Sequence, residues 1–152
     1  MTRRIVVLGC VGVAVLAGVL LVGLLPDRVD GGVERPIRAF IDTLQAAGAP
    51  AWVNYDLVDF VANIVFFVPI GLLAALLLPW RVWWLGMPIG LALSAALELG
   101  QAVFLPERYA SLTDVIANTL GAVIGALLGA AIRSVRMRRA PAQRPVPRSA
   151  PR

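Results

Sequence analysis

The sequence predicts an all-α membrane protein: a four-transmembrane-helix bundle with both termini cytoplasmic and a short amphipathic helix in the first outer loop. Three observations carry this expectation. The 152 residues are 59% hydrophobic and 15% charged, with mean hydropathy +0.82; a soluble domain of this size would carry more charge and less Val, Leu and Ala. Four apolar runs, at about 5–25, 60–78, 83–105 and 112–132, are long enough to cross a bilayer, which takes about 20 residues each. The basic residues, all of them Arg, are placed asymmetrically around those runs. Residues 1–132 read as one transmembrane domain and 133–152 as a disordered Arg/Pro-rich cytoplasmic tail. That tail has no acid, so its charge favours anionic lipid headgroups.

The first run follows Arg3 and Arg4. It is too long for the apolar region of a signal peptide, and no small-residue cleavage site stands out before Pro26. Cys10 is the single cysteine, which excludes an internal disulfide, and it reads as a helix residue. In the following loop, "RPIRAFIDTLQAAG" places Ile37, Phe40, Ile41 and Leu44 at helical spacing, with Pro36 suited to the first turn and Gly48 to a stop. This segment reads as a helix lying on the outer membrane surface. A helix capping the bundle end is the equal alternative.

The arginines set the orientation. Arg3 and Arg4 precede the first span, Arg81 lies between the second and third, and Arg133, Arg136, Arg138 and Arg139 follow the fourth. With four spans they share one side, the cytoplasm. The opposite loop, 26–59, holds Asp27, Asp30, Glu34, Asp42, Asp56 and Asp59 against Arg28, Arg35 and Arg38. Trp80, Trp83 and Trp84 suit the inner interface, and Trp52, Tyr55 and Tyr109 the outer one.

Polar residues inside the apolar runs gather at one depth. The third span travels outward, so Glu98 lies about 10 Å inside Pro106 at 1.5 Å per residue, with Gln101 on the same face. The second span starts "DFVANIVFFVPIG" and the fourth "DVIANTLGAVIG". Asp59 and Asn63 in one, and Asp114 and Asn118 in the other, repeat the same spacing, as expected of two parallel helical hairpins. Asp59 and Asp114 have an ordinary alternative role as helix caps, and the asparagines as interhelical hydrogen-bond partners. Glu98 is harder to explain that way, because a carboxylate in hydrocarbon is costly unless it faces protein or water. Arg108, in "PERYASLTD", is its nearest counter-ion in the sequence. Gly121, Gly125 and Gly129 recur every fourth residue and let a neighbouring helix approach closely. Pro69 is expected to kink the second span, and Pro88, between Gly86 and Gly90, to loosen the start of the third.

The segments "DFVANIVFFVPIG" and "ELGQAVFLPERYASLTDVIANTLGAVIG" resemble the VanZ-like family of bacterial membrane proteins. The second carries the more specific pattern: Glu98, Gln101, Pro106, Arg108, Ser111, Asp114, Asn118, Gly121 and Gly125 in order. The first adds Asp59, Asn63, Phe67, Pro69 and Gly71. The resemblance implies a multi-pass protein of the bacterial plasma membrane, adds Ser111 to the polar set and Gly71 to the packing set, and links the family to resistance to a glycopeptide antibiotic.

The absence of His excludes a Ser–His hydrolase or a His-dependent phosphatase, and with one Cys it excludes the usual zinc sites. No GxSxG and no Gly-rich phosphate loop is present. No cofactor or metal is expected, and the partners expected are membrane lipids, including a lipid-linked cell-wall precursor, rather than nucleic acid. Three readings of Asp59, Asn63, Glu98, Gln101, Arg108, Ser111, Asp114 and Asn118 stand. They form a headgroup-binding site in a non-enzymatic envelope protein, or the site of a membrane enzyme with Glu98 as acid or base, or a cluster that only fixes the bundle. The first is favoured.

The topology is directly testable. In a Cys10→Ser background, cysteines introduced between residues 30 and 55 are expected to react with a membrane-impermeant maleimide on intact cells. A cysteine in the tail is expected to stay unlabelled, and its labelling from outside would reverse the orientation.

Overall fold

The computed structural model describes residues 2–24, 32, 34–104 and 111–139. The elements are α1 (Thr2–Leu24), α2 (Glu34–Ala46), α3 (Tyr55–Leu77), a 3₁₀ turn (Trp80–Leu85), α4 (Gly86–Phe104) and α5 (Leu112–Arg139). Three stretches, Tyr55–Leu77, Trp80–Phe104 and Leu112–Arg139, are long and apolar enough to cross a membrane, and α1 carries a shorter apolar stretch, Ile5–Leu21.

Local chemistry moves several boundaries away from those expected from hydropathy. α3 starts at Tyr55 rather than near Phe60 because Asn54 caps it: its backbone is extended, and its Oδ1 accepts the Leu57 N–H at 3.0 Å. Asp59 therefore lies inside the helix and is not its cap. α4 starts at Gly86 rather than Trp83, since "WRVWWL" forms a 3₁₀ turn with a non-helical residue at Val82 (φ −125°, ψ 22°). Pro88 then falls in the first turn of α4, where a missing N–H breaks no intrahelical bond. α3 continues through Pro69 as one helix. α5 continues past Ile132 to Arg139, so the basic segment expected to be disordered from residue 133 is helical up to that point. Arg is a good helix former, and Arg136, Arg138 and Arg139 complement the negative end of the dipole. The rest of the tail, 140–152, lies outside the described residues.

The packing is inverted relative to a water-soluble bundle. Large apolar side chains face outward, among them Val65, Leu99, Val103 and Phe104, while Ala75, Ala117, Ala122 and Ala126 are fully buried. That distribution suits hydrocarbon solvent, where close backbone approach and van der Waals contact, rather than burial of large side chains, hold helices together.

α5 is the central helix. One face meets α3: Gly121 lies against Ile64, Gly125 against Val68, and Gly129 against Leu72 and Ala75. The constant residue offset makes α3 and α5 parallel. A β-carbon at Gly71, Gly121 or Gly125 would overlap a backbone carbonyl of the facing helix, that of Ala122, Ile64 or Val68 respectively. An adjacent face of α5 meets α4 in the opposite direction, with Gly86 beside Ala126, Gly90 beside Ala122, and Ser94 bonded to Asn118. α1 packs across α3 and α4, its Val19 joining Phe67, Ile70 and Leu97 in a buried apolar cluster, while Gly12 lies near Leu77. α1 thus runs antiparallel to α3. Arg133 ties α5 to the far end of α3, donating to the carbonyls of Ala75 and Leu78 and lying over the Trp80 ring.

α2 docks near the start of α3. Ile41 is buried, Arg38 pairs with Glu34 at 2.7 Å and lies 4.4 Å over the Tyr55 ring, and Gln45 Nε2 donates to the Val53 carbonyl at 2.9 Å. The Glu34 carboxylate raises the Arg38 pKa above its ordinary value. The helix stops at Gly48, whose φ of +100° permits the paired bonds Gly48 N–H to Gln45 and Ala49 N–H to Leu44. Capping contacts therefore account for Ile41 and Arg38, whereas Phe40 and Leu44 remain exposed.

Gly125→Leu should force α3 and α5 apart at Val68 and destabilise the bundle by about 3 kcal/mol, the upper part of the overpacking range. Leu128→Ala, at an outward position, should be mild. Thermal unfolding and folded yield in detergent report both, and equal behaviour of the two variants would mean that the glycine face is not an interface.

Candidate functional site

α4 presents small or polar residues to α5 at every fourth position: Gly86, Gly90, Ser94 and Glu98, followed by Gln101 one turn beyond. Their size and polarity change along the helix. The glycines lie toward the Arg-rich end of the bundle, and the polar residues lie toward the end where α3 and α5 begin. Ser94, Glu98, Gln101 and Asn118 are the buried polar residues among the described residues, each at most 9% exposed.

Hydrogen bonds join the cluster to α5. Asn118 Nδ2 donates to Ser94 Oγ at 3.0 Å, and the backbone N–H of Ser111 donates to Glu98 Oε2 at 2.6 Å. Ser111 is also the N-cap of α5, its hydroxyl accepting the Asp114 N–H at 3.2 Å. In the usual reciprocal cap, the carboxylate three residues into the helix would return to the N-cap N–H. Here that N–H goes to Glu98, from another helix. Glu98 therefore completes the cap of α5, and Asp114, expected as a possible cap, is not one.

Asn118 Oδ1 is buried and has no hydrogen-bond partner among the described residues. Leaving such an acceptor unsatisfied costs about 1–3 kcal/mol. Rotating the amide does not remove the cost. The Ser94 hydroxyl can donate or accept, but it meets only one side of the amide, so the other polar atom stays unpaired.

The remaining expected residues are distributed as follows. Asp59 and Asn63 are half-buried on α3. Gly71, Gly121, Gly125 and Gly129 lie at the α3–α5 contact, with Pro69 on the same stretch of α3. Arg108 and Pro106 lie outside the described residues, so the expected pairing of Arg108 with Glu98 belongs to the reading below. Ser94 was missed by sequence reasoning. Its signal was position: four residues before Glu98 and seven before Gln101, on the same helical face.

Among the described residues, no group of three or more His, Cys, Asp or Glu is arranged to hold a metal ion. What the cluster offers is one carboxylate, two amides and two hydroxyls in a low-dielectric setting, a donor and acceptor set suited to hydrogen bonding. A family model described as VanZ/LLP1 matches residues 13–133. No curated protein matches the chain, and no solved structure matches it.

Glu98→Ala would leave the Ser111 N–H without this acceptor and should destabilise by about 1–3 kcal/mol. Glu98→Gln keeps an acceptor oxygen and exchanges a charge-assisted bond for a neutral one, so its loss should be about 1 kcal/mol. Thermal unfolding in detergent separates them. Equal destabilisation would assign the effect to the charge instead of the acceptor.

Proposed function

The chain belongs to the VanZ/LLP1 family, and from that premise we propose that it is a multi-pass protein of the bacterial plasma membrane whose polar cluster binds the headgroup of a membrane lipid or lipid-linked cell-wall precursor. In this reading α1, α3, α4 and α5 all span the bilayer, both termini are cytoplasmic, and the cluster faces the outer leaflet. The Arg asymmetry supports the orientation. The protein acts by binding, in envelope homeostasis or glycopeptide tolerance, without turning over its ligand.

The observation that carries the reading is Asn118 Oδ1, a buried acceptor left unpaired beside Ser94, whose face of α4 leads on to Glu98 and Gln101. A group that only held helices together would gain by pairing both sides of its amide. An unpaired acceptor is suited to a donor that arrives, such as a hydroxyl or amide N–H of a headgroup. Arg108, three residues before Ser111 in the chain, would bring a cation to the same end for an anionic headgroup.

A second reading is favoured by a different observation. The Glu98–Ser111 bond gives the carboxylate a structural task, and a cluster serving only as helix cap and interhelical tie would contain such a bond. The enzymatic reading, with Glu98 as acid or base toward a lipid-linked phosphate, has weaker support, because one oxygen of that carboxylate is already committed to a backbone N–H.

Asn118→Leu distinguishes binding from a purely structural role. The variant removes the costly acceptor together with the donor to Ser94 Oγ, so gain and loss nearly offset and thermal stability should stay close to that of the parent. Added polyprenyl-diphosphate-linked precursor at about 100 times its Kd should stabilise the parent protein by about 2.7 kcal/mol, and this gain should vanish in the variant. A variant that unfolds at lower temperature, with no response of the parent to the precursor, would support the structural reading.

A further inference from the structure

A second site lies at the opposite end of the bundle. α1, α3 and α5 enclose a half-open cavity of about 250 Å³. Ile5 and Leu8 from α1 and Leu76 and Leu77 from α3 form apolar walls, and Arg133 and Arg136 from α5 border it. The arrangement joins an apolar slot to two guanidinium groups one helical turn apart, which share a helix face.

Charge at this end is one-sided. No acidic residue follows Asp114 in the sequence, and Arg138 and Arg139 continue the basic run. None of the residues bordering the cavity is acidic, so neither arginine is neutralised there. Arg133 makes its described bonds through Nη1, to the Ala75 and Leu78 carbonyls. That anchoring fixes the guanidinium plane at the cavity, while the donors on Nε and Nη2 remain for another acceptor. A planar guanidinium held in this way is pre-organised for phosphate oxygens. Arg136 is exposed and long enough to close on the same group.

The walls decide what carries the phosphate. A cavity of this size, lined by Leu and Ile, exceeds the roughly 150 Å³ that holds one benzene, yet it is small for a whole soluble ligand. Part of an acyl chain fits both its volume and its apolar lining. We propose that the cavity between α1, α3 and α5 is a binding site for an anionic phospholipid, its phosphate held by Arg133 and Arg136 and an acyl chain lying against Ile5, Leu8, Leu76 and Leu77. The site is separate from the polar cluster at the other end and does not depend on what that cluster binds.

The test uses the full chain purified in mild detergent and exchanged with phosphatidylglycerol or phosphatidylcholine, with bound lipid counted by native mass spectrometry. Phosphatidylglycerol should be retained in preference to phosphatidylcholine. Arg136→Gln should weaken retention about fivefold, the effect of one basic side chain at an anionic surface, whereas Arg139→Gln, the same charge change outside the cavity, should leave it near the parent value. Leu8→Trp, which fills the slot without altering charge, should also lower retention. Inorganic phosphate should not displace the lipid if the acyl slot contributes. Equal losses for Arg136→Gln and Arg139→Gln would reduce the effect to general surface charge. Unchanged retention in Leu8→Trp, or displacement by inorganic phosphate, would remove the acyl slot, and any of these results would overturn the proposal.

Discussion

The close approach of α5 to its two neighbours is the constraint on which the rest of the structure depends. Gly71, Gly121 and Gly125 let the backbones of α3 and α5 meet without an intervening β-carbon, and Gly90 leaves room on α4 for the Ala122 β-carbon. In hydrocarbon this contact replaces the hydrophobic drive of a soluble core, since lipid tails solvate Leu and Val as well as a protein interior does. Close approach also fixes register. Moving either helix by one residue would set a side chain against a carbonyl.

Register, in turn, assembles the polar end. Because α4 runs antiparallel to α5, the sequence of small positions Gly86 and Gly90 leads directly into Ser94 and Glu98, which meet Asn118 and Ser111. The same geometry carries opposing demands. Glu98 contributes by capping α5, whereas Asn118 carries an unsatisfied acceptor whose cost the surrounding glycine contacts must offset. Stability is therefore concentrated in the middle of the bundle and given up at one end. Arg133 closes the other end by taking the last carbonyls of α3, which leaves that end basic and open toward α1.

Much of this was legible in residue type and spacing. A four-residue glycine repeat in an apolar helix implies a close neighbour, and a carboxylate or amide inside an apolar run stands out because hydrocarbon penalises it. The shared pattern of Asp and Asn in the second and fourth runs implied helices entering from one side, and α3 and α5 are parallel. The caps were not legible, because Asn54, Asp59, Ser111 and Asp114 are all cap-forming types and only the backbone decides which one sits at the boundary. Ser94 was hidden among small apolar residues until α5 supplied Asn118 opposite it. Arg133 looked like part of a solvated tail, and its role emerges only when the end of α3 lies beside it. The chemistry of a ligand was less legible still, since Arg108 and the loop around it lie outside the described residues.

The register of α4 on α5 is the central claim, and disulfide trapping measures it most directly. In a Cys10→Ser background, Ser94→Cys with Asn118→Cys places two thiols where the native side chains are bonded at 3.0 Å, within reach of disulfide geometry. Oxidation in isolated membranes should cross-link this pair rapidly within one chain, detected by mass spectrometry of the bridged peptides. Ser94→Cys with Leu120→Cys, whose second position points outward, should remain reduced under the same conditions. Cross-linking of the second pair in preference to the first would contradict the register, and with it the assembly of Ser94, Glu98, Ser111 and Asn118 into one cluster.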